Sequence, residues 1–176
     1  MAGEGNIIYN LSGESTRPAV RIFQMIKIKR TDSSDQDFVQ LVRQLDADLA
    51  ERDGKEHSFY AQFNKIDTIK HVVVAYENDS PVGCGAIKEY QPDTMEIKRM
   101  YTMPDRRGKG IASQILRELE TWASELSYTK CILETGKAQP EAIGLYKKSG
   151  YQIIPNYGQY AGIENSLCFE KDVQHQ

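Results

Sequence analysis

The segment 106–113, Arg-Arg-Gly-Lys-Gly-Ile-Ala-Ser, constrains the fold more than any other part of the sequence. It stands between an alternating apolar run at 95–103 and an amphipathic run at 115–126, an order that indicates a strand, a turn and a helix. Its small residues let the backbone approach a ligand closely, and the helix start behind them offers unpaired N–H groups to an anion. The segment is therefore predicted to hold a phosphate-bearing cofactor.

The bulk properties of the chain indicate one compact domain. With 176 residues, 40% of them hydrophobic, a single core is expected over residues 25–173. Residues 1–24 show no sustained period and are interpreted as a disordered extension or a start-site or cloning artefact. A net charge of −3 without a basic block argues against a nucleic-acid partner. No apolar run is long enough to cross a membrane, so we expect a cytoplasmic protein without a membrane partner.

The cysteines and histidines do not form a recognisable metal or disulfide pattern. Cys84, Cys131 and Cys168 lie singly in apolar, strand-like runs, which predicts buried free thiols. The three histidines are scattered along the chain. No metal site is therefore expected.

Hydrophobic periodicity divides the remaining chain into short strands and amphipathic helices. Strands are predicted at 25–30, 71–76, 81–88, 95–103, 131–134, 151–154 and 165–171. Helices are predicted between the cap residues 31–35 and the stop at 52–54, at 57–64, after the glycine turn up to 126, and from 139 to 149. The strand–helix–strand unit around the turn predicts that its two strands run parallel.

Two familiar phosphate-binding motifs do not match the glycine turn. The dinucleotide fingerprint requires glycine or alanine where Ser113 stands, and in a P-loop the lysine follows the glycine, whereas Lys109 precedes Gly110. The turn instead matches the pattern Arg/Gln-x-x-Gly-x-Gly/Ala, from Arg107 to Ala112.

On three separate segments the sequence resembles the GNAT superfamily of N-acetyltransferases. Residues 96–104 resemble the family's fourth strand, 106–112 its acetyl-CoA loop, and 142–151 its C-terminal helix and following strand. The similarity covers residues 25 to about 171. It implies an α/β (α+β) fold in which a mixed, mostly antiparallel sheet of six to seven strands carries helices on both faces. It also implies a small, bacterial-type enzyme that uses acetyl-CoA as co-substrate and no metal.

The resemblance implies where acetyl-CoA would bind. Amides of a bulged strand, at Met100, Tyr101 and Thr102, would bind the pantetheine arm and polarise the thioester carbonyl. Gln139 stands where the family often has an asparagine that contacts the coenzyme, which is a departure from the pattern. The pyrophosphate cradle would consist of Arg107, Gly108, Lys109, Gly110, Ile111 and Ala112.

Two residues match catalytic positions of the family. Acetyl transfer needs an unprotonated amine, whereas a lysine-type amine has a pKa of about 10.4, so a base is useful. Glu96 matches the strand position of that base, with an outward-facing carboxylate as the alternative. Tyr146 matches a tyrosine that protonates the leaving thiolate; the alternative is packing with a hydrogen bond to the sulfur but no proton transfer.

The acceptor is less constrained than the donor. Lys98 and Arg99 are candidates for binding an acceptor carboxylate or for a solvated face, and Tyr157 and Tyr160 for acceptor contacts or for packing within their own loop. Because the chain has no added module, we expect a small-molecule primary amine that attacks directly in a ternary complex. The alternatives are a protein N-terminal or lysine acetyltransferase and a non-catalytic acyl-CoA sensor. The oligomeric state stays open, a homodimer included.

Overall fold

The computed structural model describes residues 25–62 and 65–173, so the 1–24 segment lies outside the described residues. Its strands form one seven-stranded sheet in the order β1-β2-β3-β4-β5-β7-β6. β4 and β5 pair in parallel, and every other neighbouring pair is antiparallel. The predicted mixed, mostly antiparallel sheet is therefore confirmed. The strands are β1 (Ile26–Thr31), β2 (His71–Glu77), β3 (Ser80–Gln91), β4 (Thr94–Thr102), β5 (Lys130–Gly136), β6 (Gln152–Ile154) and β7 (Ser166–Asp172).

Helices cover both faces of the sheet, as expected. They are α1 (Gln36–Asp53), α2 (His57–Ala61), α3 (Ile111–Glu125) and α4 (Pro140–Lys148). Alternate residues of a strand point to opposite faces, and on β2 Val72 and Val74 belong to the core beneath α1, whereas Val73 and Ala75 belong to the core beneath α3. No helix among the described residues combines the length and apolar character that crossing a bilayer requires.

Local signals explain most element boundaries. The Asp35 carboxylate caps α1 by accepting hydrogen bonds from the N–H groups of Asp37 at 2.9 Å and Phe38 at 3.2 Å. Between β2 and β3, Asn78 and Asp79 have φ angles of 50° and 60°, which is the geometry of a two-residue hairpin turn. β2 and β3 are therefore longer than the sequence predicted, and the turn between them is shorter. α2 ends at Ala61, earlier than predicted, and residues 63–64 lie outside the description.

β4 and β5 pair over a short stretch and then separate. Within the described chain their pairing joins Thr94, Met95 and Glu96 to residues 130–132. Beyond Glu96 the two strands run on as far as Thr102 and Gly136, each held on its outer edge by β3 and β7 respectively. The gap between their inner edges, called the splay below, opens inside a continuous sheet.

A β-bulge lies on β4 beside the splay. Cys84 pairs with Tyr101 and Ala86 with Lys98, so two residues, Arg99 and Met100, stand opposite Gly85 alone. The extra residue pushes the Met100 side chain over Gly85: a Cβ at Gly85 would lie 2.5 Å from Met100 Sδ and 2.9 Å from atoms of Ile115 and Leu119. A side chain at position 85 would therefore displace Met100 and residues of α3.

Replacement of Gly85 by alanine tests this expected displacement. We expect Gly85→Ala to lower the free energy of unfolding by about 1–3 kcal/mol in a urea titration, because Met100 and α3 must move. Gly144→Ala is the matched control, since a Cβ there has nothing within 4 Å and alanine favours the helix. Equal stability of the two variants would contradict the tight packing at the bulge.

Candidate active site

A cavity of about 460 Å³ lies at the splay and collects most of the predicted site residues. Side chains from both faces of the sheet line the cavity, because it occupies the gap between β4 and β5. Lys109 and Tyr157 are the two predicted residues outside its lining. The predicted residues that line the cavity are Glu96, Lys98, Arg99, Met100, Tyr101, Thr102, Arg107, Gly108, Gly110, Ile111, Ala112, Gln139, Tyr146 and Tyr160.

The glycine turn ends in an uncapped helix start. Gly108 and Gly110 have φ angles of 76° and 79°, in the left-handed region that favours glycine. Gly110 is the N-cap of α3, no side chain caps that end, and its first turn carries no acidic residue. The first N–H groups of α3, at Ile111 and Ala112, are thus left without intrahelical partners beside the cavity. Such an end binds anions through its amides and its dipole.

The side chain of Arg107 fixes the turn in place. Its Nε donates to the carbonyl of Thr102 at 3.0 Å, and a terminal nitrogen donates to Asp48 Oδ2 of α1 at 2.8 Å. The guanidinium also lies 5.8 Å from the centre of the Tyr101 ring. Arg107 therefore ties the turn to β4 and α1 through its side chain, which leaves the backbone to face the cavity.

Basic residues of the turn point toward a buried carboxylate. Glu77, at the end of β2, is 6% exposed and forms ion pairs with Arg106 and, at 3.9 Å, with Lys109. Lys109 is not among the residues that line the cavity, so its predicted place in the cradle stays a prediction.

Arg99 occupies a strained position at the centre of the bulge. Its φ of 57° is in the left-handed region, which is costly for a residue with a Cβ. The side chain is 2% exposed and forms an ion pair with Asp46 of α1. Its carbonyl accepts a weak hydrogen bond from Cys84 Sγ at 3.5 Å. The solvated-face interpretation of Arg99 is therefore wrong, and its guanidinium joins the bulge to α1.

Glu96 faces the cavity rather than bulk solvent, so the outward-facing alternative is wrong. Oε1 accepts a hydrogen bond from the Tyr157 hydroxyl at 3.0 Å, and Oε2 accepts one from Lys98 Nζ at 3.2 Å. The Glu96 and Lys98 side chains are only 10% and 12% exposed. Lys98 is therefore not on a solvated face either. Burial, followed by the charge of Glu96, raises the pKa of Tyr157, which keeps this phenol protonated.

Tyr146 reaches the cavity from α4. Its ring packs edge-on against Tyr151, with centroids 5.8 Å apart, and tilts against Phe169. Burial, followed by the charge of Glu134, raises the pKa of Tyr146. The hydroxyl is thus in its proton-donating form throughout the physiological pH range.

The two loop tyrosines have different environments. Tyr157 packs against Tyr90 and Tyr160, with ring centroids 5.1 and 5.8 Å apart, as expected if the loop packs on itself. Tyr160 is buried and lines the cavity. Burial, followed by the charges of Glu134 and Glu96, raises the pKa of Tyr160.

Sequence reasoning assigned no role to Glu134 of β5, which lines the cavity together with Tyr60 of α2. The Glu134 carboxylate accepts a hydrogen bond from Ser166 Oγ at 2.7 Å, and the Tyr60 hydroxyl lies 3.2 Å from the same Ser166 oxygen. The available signal was the position of Glu134 at the end of an apolar strand that follows the cofactor turn. That position does not show where the Glu134 side chain points, because its orientation toward a cavity depends on the separation of β4 and β5.

The cysteines are the buried free thiols that the sequence predicted. Burial raises the pKa of Cys84 and Cys131 to about 12, and that of Cys168 to about 11. Thiols of this kind are protonated and poorly nucleophilic near neutral pH.

Comparison with known proteins identifies the family. The family model of the acetyltransferase (GNAT) family matches residues 38–151. The chain belongs to this family. It is 30% identical over 148 residues to a protein named IAA acetyltransferase from Azospirillum brasilense, which covers 83% of this chain and 97% of that relative. It is also 34% identical over 99 residues to an N-acetyltransferase, YsnE, of Bacillus subtilis, covering 55% of this chain and 66% of the relative.

Solved structures show the same fold. An acyl-CoA N-acyltransferase structure from Klebsiella pneumoniae is similar with a TM-score of 0.71 and 28% identity, over 85% of this chain and 99% of that one. A GNAT acetyltransferase of Elizabethkingia anophelis with acetyl-CoA bound shares the fold with a TM-score of 0.58 and 19% identity, over 84% and 97%. This GNAT enzyme, then, has a fold in which acetyl-CoA binding is observed.

The backbone strain at Arg99 leads to a stability prediction. Arg99→Ala and Arg99→Gly both remove the ion pair with Asp46, but glycine tolerates the left-handed backbone. We therefore expect Arg99→Gly to be more stable than Arg99→Ala by about 1 kcal/mol in urea unfolding.

The neighbouring residue provides the control. Lys98 is outside the left-handed region, so Lys98→Gly should be less stable than Lys98→Ala. The same order of stability at both positions would show that Arg99 is unstrained.

Proposed function

We propose that this GNAT enzyme transfers an acetyl group from acetyl-CoA to a primary amine of a small molecule, by direct attack in a ternary complex. The observation that carries the proposal is the single cavity in which the uncapped start of α3, the bulged strand β4 and the buried hydroxyl of Tyr146 meet. An anion site, an amide-rich strand edge and a proton donor are the parts that thioester aminolysis needs. The cavity volume also lies in the range of small-molecule sites.

Acetyl-CoA, the acetyl donor, would bind along the glycine turn and β4. The pyrophosphate would lie on the amides of 107–112, and the pantetheine arm would run along the inner edge of β4 beside Met100, Tyr101 and Thr102. The separation from β5 supports this path, because a strand edge without its neighbour offers backbone groups to a ligand. Gln139, the N-cap residue of α4, also lines the cavity and would contact the coenzyme there.

Tyr146 is assigned as the proton donor to the leaving thiolate. Acetyl transfer forms a C–N bond to the amine and breaks the C–S bond, so the sulfur leaves with an electron pair and benefits from a proton. The raised pKa of Tyr146 keeps the phenol protonated for this step. The protonated, buried cysteines favour direct transfer over an acyl-enzyme.

Aromatic residues of the cavity lining support a small acceptor. Tyr60 of α2 and Tyr160 line the cavity, and the Tyr157 hydroxyl donates a hydrogen bond to Glu96. Lys98 and Arg99 already face the carboxylates of Glu96 and Asp46, so the prediction that they bind an acceptor carboxylate gains no support from the geometry.

A screen of acceptors tests the function. Release of coenzyme A thiol from acetyl-CoA should rise above the hydrolysis background with at least one member of a panel of small primary amines. Release with peptides alone would favour the protein acetyltransferase alternative. Tight acetyl-CoA binding with no release for any acceptor would support the sensor alternative and contradict the proposal.

Tyr146→Phe tests the proton donor with the best acceptor of that screen. We expect kcat to fall by about 10²–10⁴-fold while the dissociation constant of acetyl-CoA changes little, because only the transition state loses a partner. Tyr151→Phe is the matched control: it removes a buried hydroxyl from the neighbouring ring, outside the cavity lining. Similar losses in the two variants would remove the assigned role of Tyr146.

A further inference from the structure

A buried lysine of β4 lies inside the cavity. Lys98 is one of two lysines of the described chain that line it, and its side chain is only 12% exposed. We propose that Lys98 is a site of self-acetylation: in the absence of an external acceptor, bound acetyl-CoA transfers its acetyl group to the Lys98 amine. This inference rests on the proposed acetyl transfer and adds a modification site within the same cavity.

Strand geometry places the Lys98 amine near the proposed position of the thioester. Met100, whose amide is proposed to lie beside the thioester, follows Lys98 by two residues, and two strand residues span at most about 7 Å. A lysine carries its ammonium group on a flexible stem of four carbons, which is suited to cover such a distance. Both residues line the cavity. A rotation of the Lys98 side chain would therefore bring its amine to the thioester carbonyl.

The carboxylate of Glu96 is positioned to take a proton from Lys98. Its Oε2 accepts a hydrogen bond from Lys98 Nζ at 3.2 Å, and its Oε1 accepts one from the Tyr157 hydroxyl at 3.0 Å. The phenol thus holds the carboxylate with its second oxygen toward the amine. Because the proton moves from a buried ammonium to a buried carboxylate, the step creates no new buried charge. The amine thereby gains the lone pair that attack on a thioester requires.

The other cationic side chains of the lining are less suited to accept an acetyl group. The arginines stay protonated in proteins and therefore have no lone pair for attack. Lys148, the second lysine of the lining, is exposed on α4 and follows Tyr146 by two residues. Helix residues two positions apart do not face each other, so Lys148 points away from the Tyr146 hydroxyl. Within the described lining, burial, a neighbouring carboxylate and an amine coincide at Lys98.

Self-acetylation forms one C–N bond and breaks one C–S bond. The Lys98 ammonium gives one proton to Glu96, and the freed lone pair attacks the carbonyl carbon of the thioester. The sulfur leaves with the electron pair of the C–S bond and takes the proton of Tyr146, while the second proton of the nitrogen returns to Tyr146. Glu96 then releases its proton to solvent. The products are an acetylated lysine, coenzyme A and one proton.

Incubation of the wild-type protein with acetyl-CoA and no acceptor, followed by peptide mass spectrometry, tests the site. We expect acetylation of Lys98 to be at least about 100-fold faster than that of Lys88, because an amine held beside the bound thioester reacts intramolecularly. Lys88 is the matched control, since it pairs with Glu96 from β3 but is exposed and outside the cavity lining. The rate constant at Lys98 should not depend on protein concentration.

Two further measurements separate catalysed transfer from chemical acetylation by free acetyl-CoA. Excess coenzyme A should occupy the donor site and slow acetylation of Lys98 by about 10-fold or more, while the rate at Lys88 stays the same. Tyr146→Phe should slow the Lys98 reaction together with the reaction of the best amine of the screen, because both use the same proton donor.

Preincubation with acetyl-CoA connects the modification with activity. Acetylation removes the charge of Lys98, and with it the ion pair to Glu96, and it adds an acetyl group inside the cavity. The wild type should therefore lose activity toward the best amine in proportion to the fraction acetylated at Lys98. Lys98→Arg, whatever its initial rate, should show no loss with time, because arginine does not accept the acetyl group.

Several outcomes would overturn the inference. They are acetylation of Lys98 no faster than that of Lys88, a Lys98 rate that excess coenzyme A leaves unchanged, or one that Tyr146→Phe leaves unchanged while the amine reaction slows. Equal loss of activity with time in the wild type and Lys98→Arg would overturn it as well. In each case, release of coenzyme A with a small amine would still support the proposed function. An enzyme that acetylates Lys98 but no small amine would instead refute the proposed acceptor class and support the inference.

Discussion

Separation of β4 from β5 is the constraint on which the site depends. The two strands share three residue pairs and then diverge, although each remains held along its outer edge. In an unbroken sheet the inner edges would consume each other's hydrogen bonds and leave no room for a ligand. The divergence turns the middle of the sheet into a cavity wall, which α3 and α4 approach from one face and α1 and α2 from the other.

The bulge at Arg99 and Met100 is part of the same constraint. It adds a residue to β4 at the point where the ladder to β5 has ended, and Gly85 on β3 makes room for it. Arg99 adopts a backbone conformation that costs free energy, and its ion pair with Asp46 fixes it against α1. The strained backbone of Arg99 persists because the packing around it fixes this conformation.

The ion pairs around the cavity orient neighbouring elements and add little to the stability of the fold. Arg107 with Asp48, Arg99 with Asp46 and Arg52 with Glu141 each connect two elements that border the cavity. Each pair has at least one partly exposed partner, so solvent screening and the loss of side-chain entropy offset much of the Coulomb attraction. Their effect is to orient the turn, the bulge and the start of α4 with respect to one another.

The sequence predicted the parts of the fold that local signals encode: the strand, glycine turn and helix, the parallel pair around them and the cap at Asp35. It did not predict the partner of Arg99, because the carboxylate that Arg99 meets comes from α1, about fifty residues away in the chain. Glu134 was missed since its strand reads as buried and its direction depends on the splay. The assignment of residues 107–112 and Tyr146 to the site depends on the agreement of several separated motifs, and it stays a prediction.

Backbone amide hydrogen exchange of β4, with and without acetyl-CoA, tests the central claim most directly. The account predicts that saturating acetyl-CoA slows exchange in the segment 97–102 and at the start of α3 by an order of magnitude more than in β1, because the coenzyme takes up the amides that β5 leaves unpaired. Exchange in 97–102 that slows no more than in β1 would show that the splay does not hold the coenzyme.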